Sequence, residues 1–282
     1  MSQTVAVVTD ATSAGFWFPK WHDYYGRLFG ARNLHVLTYE GQRPAFDGIV
    51  LGGVWDVPQA YSDSKRTEII AGLVNLLLLT HDTVIRCDVD EFLVPDLRRY
   101  RSLRDYVAAL ERPYVTAFGI DIFESTADPP LDMNRSVVHV QRRRAVVQTA
   151  LHKTAITRIP ITWAPGFHGA SVAPVFDGLF LLHTKFADVE GRAAWFRFMK
   201  SRLPEDSDEY RYFSFTEEQL RTHKAWLNQR PYRPEGWAAI SDPAATARFL
   251  ETVTRSATGI HQGEFMTGDE FLVLPPQFLG TF

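Results

Sequence analysis

One cysteine, Cys87, stands in 282 residues, so no disulfide can form within the chain. It lies inside an apolar run, where a packed thiol is expected rather than a reactive one, and a reducing compartment is compatible with it. An excess of charge is also missing: 30 Lys and Arg against 33 Asp and Glu leave a formal net charge of −3. That excludes a global field for nucleic acid. No apolar run is long enough to span a bilayer, the longest, Ala71 to Leu79, being broken by Asn75, so any membrane contact is expected to be peripheral. The opening MSQTVAVVTD has no basic segment followed by a long apolar one; no signal peptide is expected, and a cytoplasmic location is. Also missing are GxGxxG after the first strand, GxxxxGK[ST], GxSxG and HExxH, which leaves dinucleotide, P-loop, serine-hydrolase and zincin chemistry without motif support.

What is present is an ordinary globular composition, 45% hydrophobic and 22% charged, enough for one domain with an ample core. TVAVVT, Thr4 to Thr9, reads as a buried strand ending at Asp10, with a turn of small residues, Ala11 to Gly15, behind it. Phe16 to Phe29 has the spacing of a helix with a wide aromatic face, core rather than ligand platform, closed by Gly30. Strands are expected at Asn33 to Tyr39, Asp47 to Val54 and Thr83 to Asp88, with a helix from Ser62 to Thr80 opened by a Ser62-Asp63-Ser64 cap. This alternation predicts an α/β fold, a mostly parallel mixed sheet flanked by helices. Further on come a helix within Leu97 to Leu110, a strand at Tyr114 to Phe123, an Arg142-Arg143-Arg144 triplet read as an exposed strand end or turn, and a strand pair in Ala150 to Ile161. A rigid Pro/Gly loop, Trp163 to Gly169, presents His168. After the strand Gly178 to Leu182 and a helix from Glu190 to Leu203, the polar stretch Pro204 to Tyr212 reads as a mobile segment or lid. A helix near Ala244 to Arg255 and a strand at Glu270 to Leu274 complete a single domain over 1–282, with a core to about 200 and an elaborated, helical C-terminal third.

Chemistry concentrates at the ends of apolar strands. DVDEF, Asp88 to Phe92, closes the fourth; two acids two apart on an extended segment point the same way, so Asp88 and Asp90 can share a divalent cation, oxygen ligands of this kind suiting Mg²⁺ or Mn²⁺. Asp10 ends the first strand, and His183-Thr184-Lys185 ends a later one. In open α/β sheets the carboxyl-terminal edge is where ligands bind, and the late histidine joins the acids there if its strand runs the same way. A cation on Asp90, on Asp88 directly or through water, and on His183 leaves positions for two phosphate oxygens, with Lys185 as added positive charge. Such a site stabilises a departing diphosphate, which makes nucleotide-sugars natural donors.

WHDYYGRLFGARNLHVL (Trp21 to Leu37), VIRCDVDEFLVPD (Val84 to Asp96), LHKTAITRIP with APGFHG, and LLHTKF together resemble the family-2-like bacterial glycosyltransferases that carry a DxDEF motif on a GT-A fold. The likeness covers roughly residues 4 to 200. It implies a nucleotide-sugar donor, a divalent metal, and transfer to a glycan or other hydroxyl acceptor. By it Asp88 and Asp90 fall on the metal and diphosphate motif, Asp10 on the nucleoside, and His183 and Lys185 on the metal and diphosphate. The ED and QxxRW elements of many relatives have no clean equivalent. An inverting enzyme needs a carboxylate to deprotonate its acceptor; Asp121 is the first choice, then Glu124 and Asp177, with Asp90 as the residue on which metal-dependent turnover rests. Lys153 and His168 are candidates for phosphate or acceptor contacts, His168 equally for a turn-stabilising role. Two readings stay open beside glycosyl transfer: a sugar-phosphate nucleotidyltransferase, although the loop after Asp10 lacks Lys and Arg, and a non-catalytic carbohydrate- or nucleotide-binding module.

Overall fold

A computed structural model describes residues 3–12, 15–58, 61–234, 236, 240 and 243–282; Ser13 and Ala14, the middle of the small-residue turn expected after the first strand, lie outside them. One ten-stranded sheet organises the molecule. Its parallel half is built from β1 (Val5–Asp10), β2 (Leu34–Tyr39), β3 (Gly53–Val57) and β4 (Thr83–Arg86), in the spatial order β3-β2-β1-β4. Beyond β4 lie β8 (Thr154–Thr157), β6 (Tyr114–Phe123), β7 (Arg144–Gln148) and β12 (Thr267–Val273), each antiparallel to its neighbour. β9 (Phe176–Phe186) pairs parallel with β6 and antiparallel with β5 (Glu91–Pro95). Followed pair by pair, β1 to β4, β6, β9 and β12 run one way and β5, β7 and β8 the other. The carboxyl ends of β1, β4, β6 and β9 therefore share one edge of a mixed, mostly parallel α/β sheet, and the strand bearing His183 does run with the others.

Helices α1 (Phe18–Phe29), α2 (Asp63–Leu77) and α3 (Leu103–Ala109) cover the sheet; α4 (Val189–Lys200), α5 (Asp208–Tyr212), α6 (Glu217–Asn228) and α7 (Pro243–Glu251) belong to the later part of the chain. The two-residue strands β10 (Thr254–Arg255) and β11 (His261–Gln262) pair with each other. The aromatic stripe of α1 is core: Phe18, Trp21, Tyr24, Tyr25 and Phe29 are all buried, each such side chain stabilising by roughly 1.5–3 kcal/mol. Their polar atoms are used as well. Tyr25 donates to the Glu91 carbonyl (3.1 Å) and accepts from the Leu93 N–H (2.9 Å), while Tyr24 donates to the Leu93 carbonyl (2.7 Å). Trp21 Nε1 donates to Cys87 Sγ at 3.3 Å. Helix α1 thus pins both flanks of the DVDEF turn.

Several local expectations give way. Gly48 has φ +81° and the chain reaches strand geometry only at Gly53, so the third strand starts later than the apolar run suggests. Ser62 is the N-cap of α2 by position, but its hydroxyl takes no helix N–H; the Glu209 carboxylate accepts the Asp63 N–H at 2.9 Å instead. The expected strand pair at 150–161 is a short 3-10 turn, Thr149–Leu151, and the single strand β8. At Gly119 in β6 a Cβ would meet Leu151 backbone at 2.5 Å, so that turn can lie flat on the sheet only where the side chain is missing. Arg142 is fully buried rather than exposed: it donates to the carbonyls of Ala187, Pro129 and Gln141, tying the loop after β6 to the end of β9. The stretch 204–212 ends in α5, and α6, which periodicity did not reveal, opens with a Thr216/Gln219 capping box.

Candidate active site

Two charged clusters lie along the shared carboxyl edge. The first gathers Asp10 from the end of β1, Arg66 from the first turn of α2, Arg86 from the end of β4, Asp88 just beyond it, Glu91 at the start of β5 and Lys153 just before β8. Asp88 does not stand on an extended segment beside Asp90: Val89 and Asp90 form a turn between β4 and β5. One Asp88 oxygen takes Arg86 and Arg66 (3.3 Å), the other takes Lys153 (3.1 Å). Burial alone would raise its carboxyl, but Arg86, Lys153 and Arg66 outweigh it and hold Asp88 well below the usual carboxylate range. Glu91, completely buried, accepts from Lys153 at 2.6 Å and from the Asp88 N–H at 2.9 Å. Burial disfavours the Lys153 ammonium, yet the charges of Asp88 and Glu91 leave it above its ordinary value.

Asp10 faces Arg66 at 3.3 Å and Arg86 at 3.6 Å. Burial dominates here, and although Arg66 opposes it, Asp10 is pushed up from 3.8 to about 6, with Asp88 adding to the rise. The ring of Phe167 lies under both arginines, 4.8 Å from the Arg66 guanidinium. The Trp163 to Gly169 loop therefore delivers Phe167 to the cluster. Its histidine turns elsewhere: His168 Nδ1 donates to the Ala150 carbonyl at 2.5 Å, and burial, with Lys153 nearby, pushes its pKa down to about 4. Gly166 at φ +70° makes that turn, and a Cβ there would collide with the His168 ring.

The second cluster is built on β9. Its register sets His183 opposite Asp121 of β6 on one side and opposite Glu91 of β5 on the other. His183 Nδ1 donates to Asp121 at 2.8 Å, and Nε2 faces Asp90 Oδ2 at 3.5 Å. Asp90 is held through its backbone: its carbonyl accepts from both the N–H and the hydroxyl of Thr184, each at 2.9 Å. With Nδ1–H committed to Asp121, a neutral His183 turns a lone pair toward a carboxylate. Two acceptors that close need a proton or a cation between them. Burial would lower the imidazole pKa, but Asp121 and Asp90 outweigh it and raise it. Asp121 fixes the ring as a carboxylate fixes a metal-ligating histidine. Lys185, two residues along the same strand, donates to the Tyr212 hydroxyl of α5.

Of the residues the sequence singled out, Asp90, Asp121, His183 and Lys185 fall in this second cluster, and Asp10, Asp88 and Lys153 in the first. His168 hydrogen-bonds the Ala150 carbonyl and feels Lys153, Glu91 and Asp88 of the first cluster through their charges. Glu124 pairs with Lys224 at 2.7 Å, and Asp177 lies between Arg99 and Arg112 at 4.0 and 3.7 Å. Arg66 and Arg86 escaped the sequence reading. Arg86 did carry a signal, since a charge inside the apolar run before DVDEF must find a partner when buried.

For Mn²⁺ or Mg²⁺, the donors at hand are the Asp90 carboxylate and His183 Nε2. Among the described residues no group of three or more His, Cys, Asp or Glu forms a ready-made cage. Two protein ligands, with substrate oxygens completing the shell, suit a metal that arrives with phosphates. Asp88, both oxygens taken by cations, does not share that position in this arrangement. No helix among the described residues is long and apolar enough to cross a membrane.

No protein-family model matches the chain, and no curated protein does. Among solved structures, mannose-1-phosphate geranyltransferase from Thermus thermophilus is similar over 79% of this chain and 68% of that one, at 8% identity and a TM-score of 0.31. A likeness this slight carries no argument about activity.

Proposed function

We propose that the chain is a metal-dependent glycosyltransferase that moves a sugar from a nucleotide-diphosphate donor to a hydroxyl acceptor. One observation carries this reading: His183, oriented by Asp121 at 2.8 Å, turns its other ring nitrogen toward Asp90 at 3.5 Å on the carboxyl-terminal edge of the sheet. The resemblance of DVDEF and LLHTKF to the DxDEF glycosyltransferases supports it. Mn²⁺ or Mg²⁺ held by Asp90 and His183 would supply positive charge to a leaving diphosphate. Asp121 keeps the imidazole in the tautomer that frees Nε2, so its part is orientation. Lys185 offers an ammonium to phosphate oxygens. Asp10, at the end of β1, faces the nucleoside side of the edge, and Asp88 holds Arg66 and Lys153 in place rather than binding the cation.

Thermal scanning with UDP-, GDP- and dTDP-sugars and Mn²⁺ tests this. Stabilisation by at least one donor that depends on the metal is expected, and its absence across the panel sinks the proposal. Asp90→Ala should lower turnover by orders of magnitude in a protein that stays folded. Release of pyrophosphate, instead of a nucleoside diphosphate, would identify a nucleotidyltransferase.

A further inference from the structure

Lys185 at the end of β9, Arg192 in the first turn of α4 and Tyr212 at the end of α5 converge on one point. Asp188 caps α4 by accepting the Gly191 N–H at 3.1 Å, which fixes the turn that carries Arg192. The Arg192 guanidinium is packed between the rings of Phe186 and Phe196, 4.1 and 4.5 Å from their centres, with about nine-tenths of the residue buried. It reaches the Tyr212 hydroxyl, touches the Lys185 carbonyl at 3.5 Å, and leaves Nε without a hydrogen-bond partner. Among the described residues no carboxylate hydrogen-bonds either cation. Buried arginines are ordinarily paired with an acid; here two cations share one neutral oxygen. Burial would raise the Tyr212 hydroxyl, yet Lys185 and Arg192 outweigh it and hold it below its ordinary value, as expected where an anion is favoured.

We infer that Lys185, Arg192 and Tyr212 form a cradle for the terminal phosphate of a nucleoside diphosphate, with the Tyr212 hydroxyl donating to a phosphate oxygen. The inference rests on the transferase reading and assigns two residues, Arg192 and Tyr212, to the diphosphate. Arg192 lies within electrostatic reach of Asp90 and Asp121, the two carboxylates that flank His183. Tyr212 is itself on α5, and Glu209 of the same short helix accepts the Asp63 N–H, so α5 joins the cradle to the start of α2.

Calorimetric titration of the full chain with UDP, GDP and dTDP, and with the corresponding monophosphates, all in Mn²⁺, tests the cradle. At least one diphosphate should bind about tenfold or more tightly than its monophosphate; Tyr212→Phe should weaken only the diphosphate, by several-fold, and Arg192→Lys by about tenfold or more. Hydrogen exchange over residues 204–215 should change with the diphosphate alone. Arg192 is buried, so its variant is first checked for an unchanged circular dichroism spectrum; Tyr212 is 44% exposed and its variant decides the question if the other unfolds. A nucleotide that binds with the same preference in wild type and Tyr212→Phe overturns the cradle while leaving the transferase reading intact. Failure of every nucleotide to bind the wild type overturns both.

Discussion

The two clusters on the sheet edge hold similar residues in opposite states of balance. In the first, three buried or largely buried acids (Asp10, Asp88, Glu91) meet three cations (Arg66, Arg86, Lys153) in direct ion pairs, and the more exposed Asp63 adds a fourth carboxylate at Arg66, 3.4 Å away. In the second, among the described residues, Asp90 has only the ring of His183 within ion-pair distance, and Lys185 and Arg192 share a phenol oxygen. Buried charges that neutralise one another hold structure in place; charges left facing an incomplete set are where a charged ligand adds most. DVDEF belongs to both clusters. Its first acid closes the balanced network and its second opens the unbalanced one.

The sharpest way to break this contrast is to remove one lysine from each side. Lys153→Met leaves Glu91 buried without its cation, while Asp88 keeps Arg86 and Arg66, and should cost about 3–5 kcal/mol in urea unfolding. Lys185→Met should cost less than about 1 kcal/mol and show its effect in nucleotide binding. Equal losses in the two variants would erase the distinction. Next in size, Asp121→Asn frees the His183 ring from its orienting carboxylate and should weaken Mn²⁺-dependent nucleotide binding about 10–100-fold, measured by titration; unchanged binding would return Asp121 to the list of candidate bases.

A smaller effect lies in the balanced cluster. Asp10 binds its proton more tightly folded, at about 6, than at its ordinary 3.8. The stability this contributes is present below about pH 4 and is lost as pH rises to about 6, because the folded state then gives up a proton that the unfolded state has already released. Asp10→Asn should therefore flatten the fall in unfolding free energy across that window, and an unaltered profile would contradict it. Least affected should be the thiol: Cys87 is fully buried, and burial pushes it up to about 12, so a thiol reagent should modify it only on unfolding.

The edge itself was legible in the sequence. TVAVVTD, VIRCDVDEF and LFLLHTKF each end an apolar run in polar residues, and all three ends meet. What spacing could not show is which long-range pairs form. Asp88 and Asp90 look equivalent at a separation of two, but the Val89-Asp90 turn and Thr184's grip on the Asp90 carbonyl send them to different partners. Arg142 resembled a solvated triplet because its acceptors are carbonyls, which no side-chain pattern announces. Phe167 was overshadowed by His168, because the two arginines it supports, Arg66 and Arg86, lie far away in the chain and meet it only through the fold. Arg192 lies in the expected helix from Glu190 to Leu203 and Tyr212 at the end of the polar stretch read as a mobile segment or lid, and nothing in their spacing announces that they meet.

The central claim, that the unbalanced cluster holds a metal with a nucleoside diphosphate, is tested most directly by Mn²⁺ electron paramagnetic resonance with and without UDP, GDP or dTDP. Wild type should retain protein-bound Mn²⁺ when one of these nucleotides is present, Asp90→Asn should lose it, and Lys185→Met should reduce it. Equal Mn²⁺ retention in wild type and Asp90→Asn, or none in wild type with any of the three nucleotides, would contradict the account.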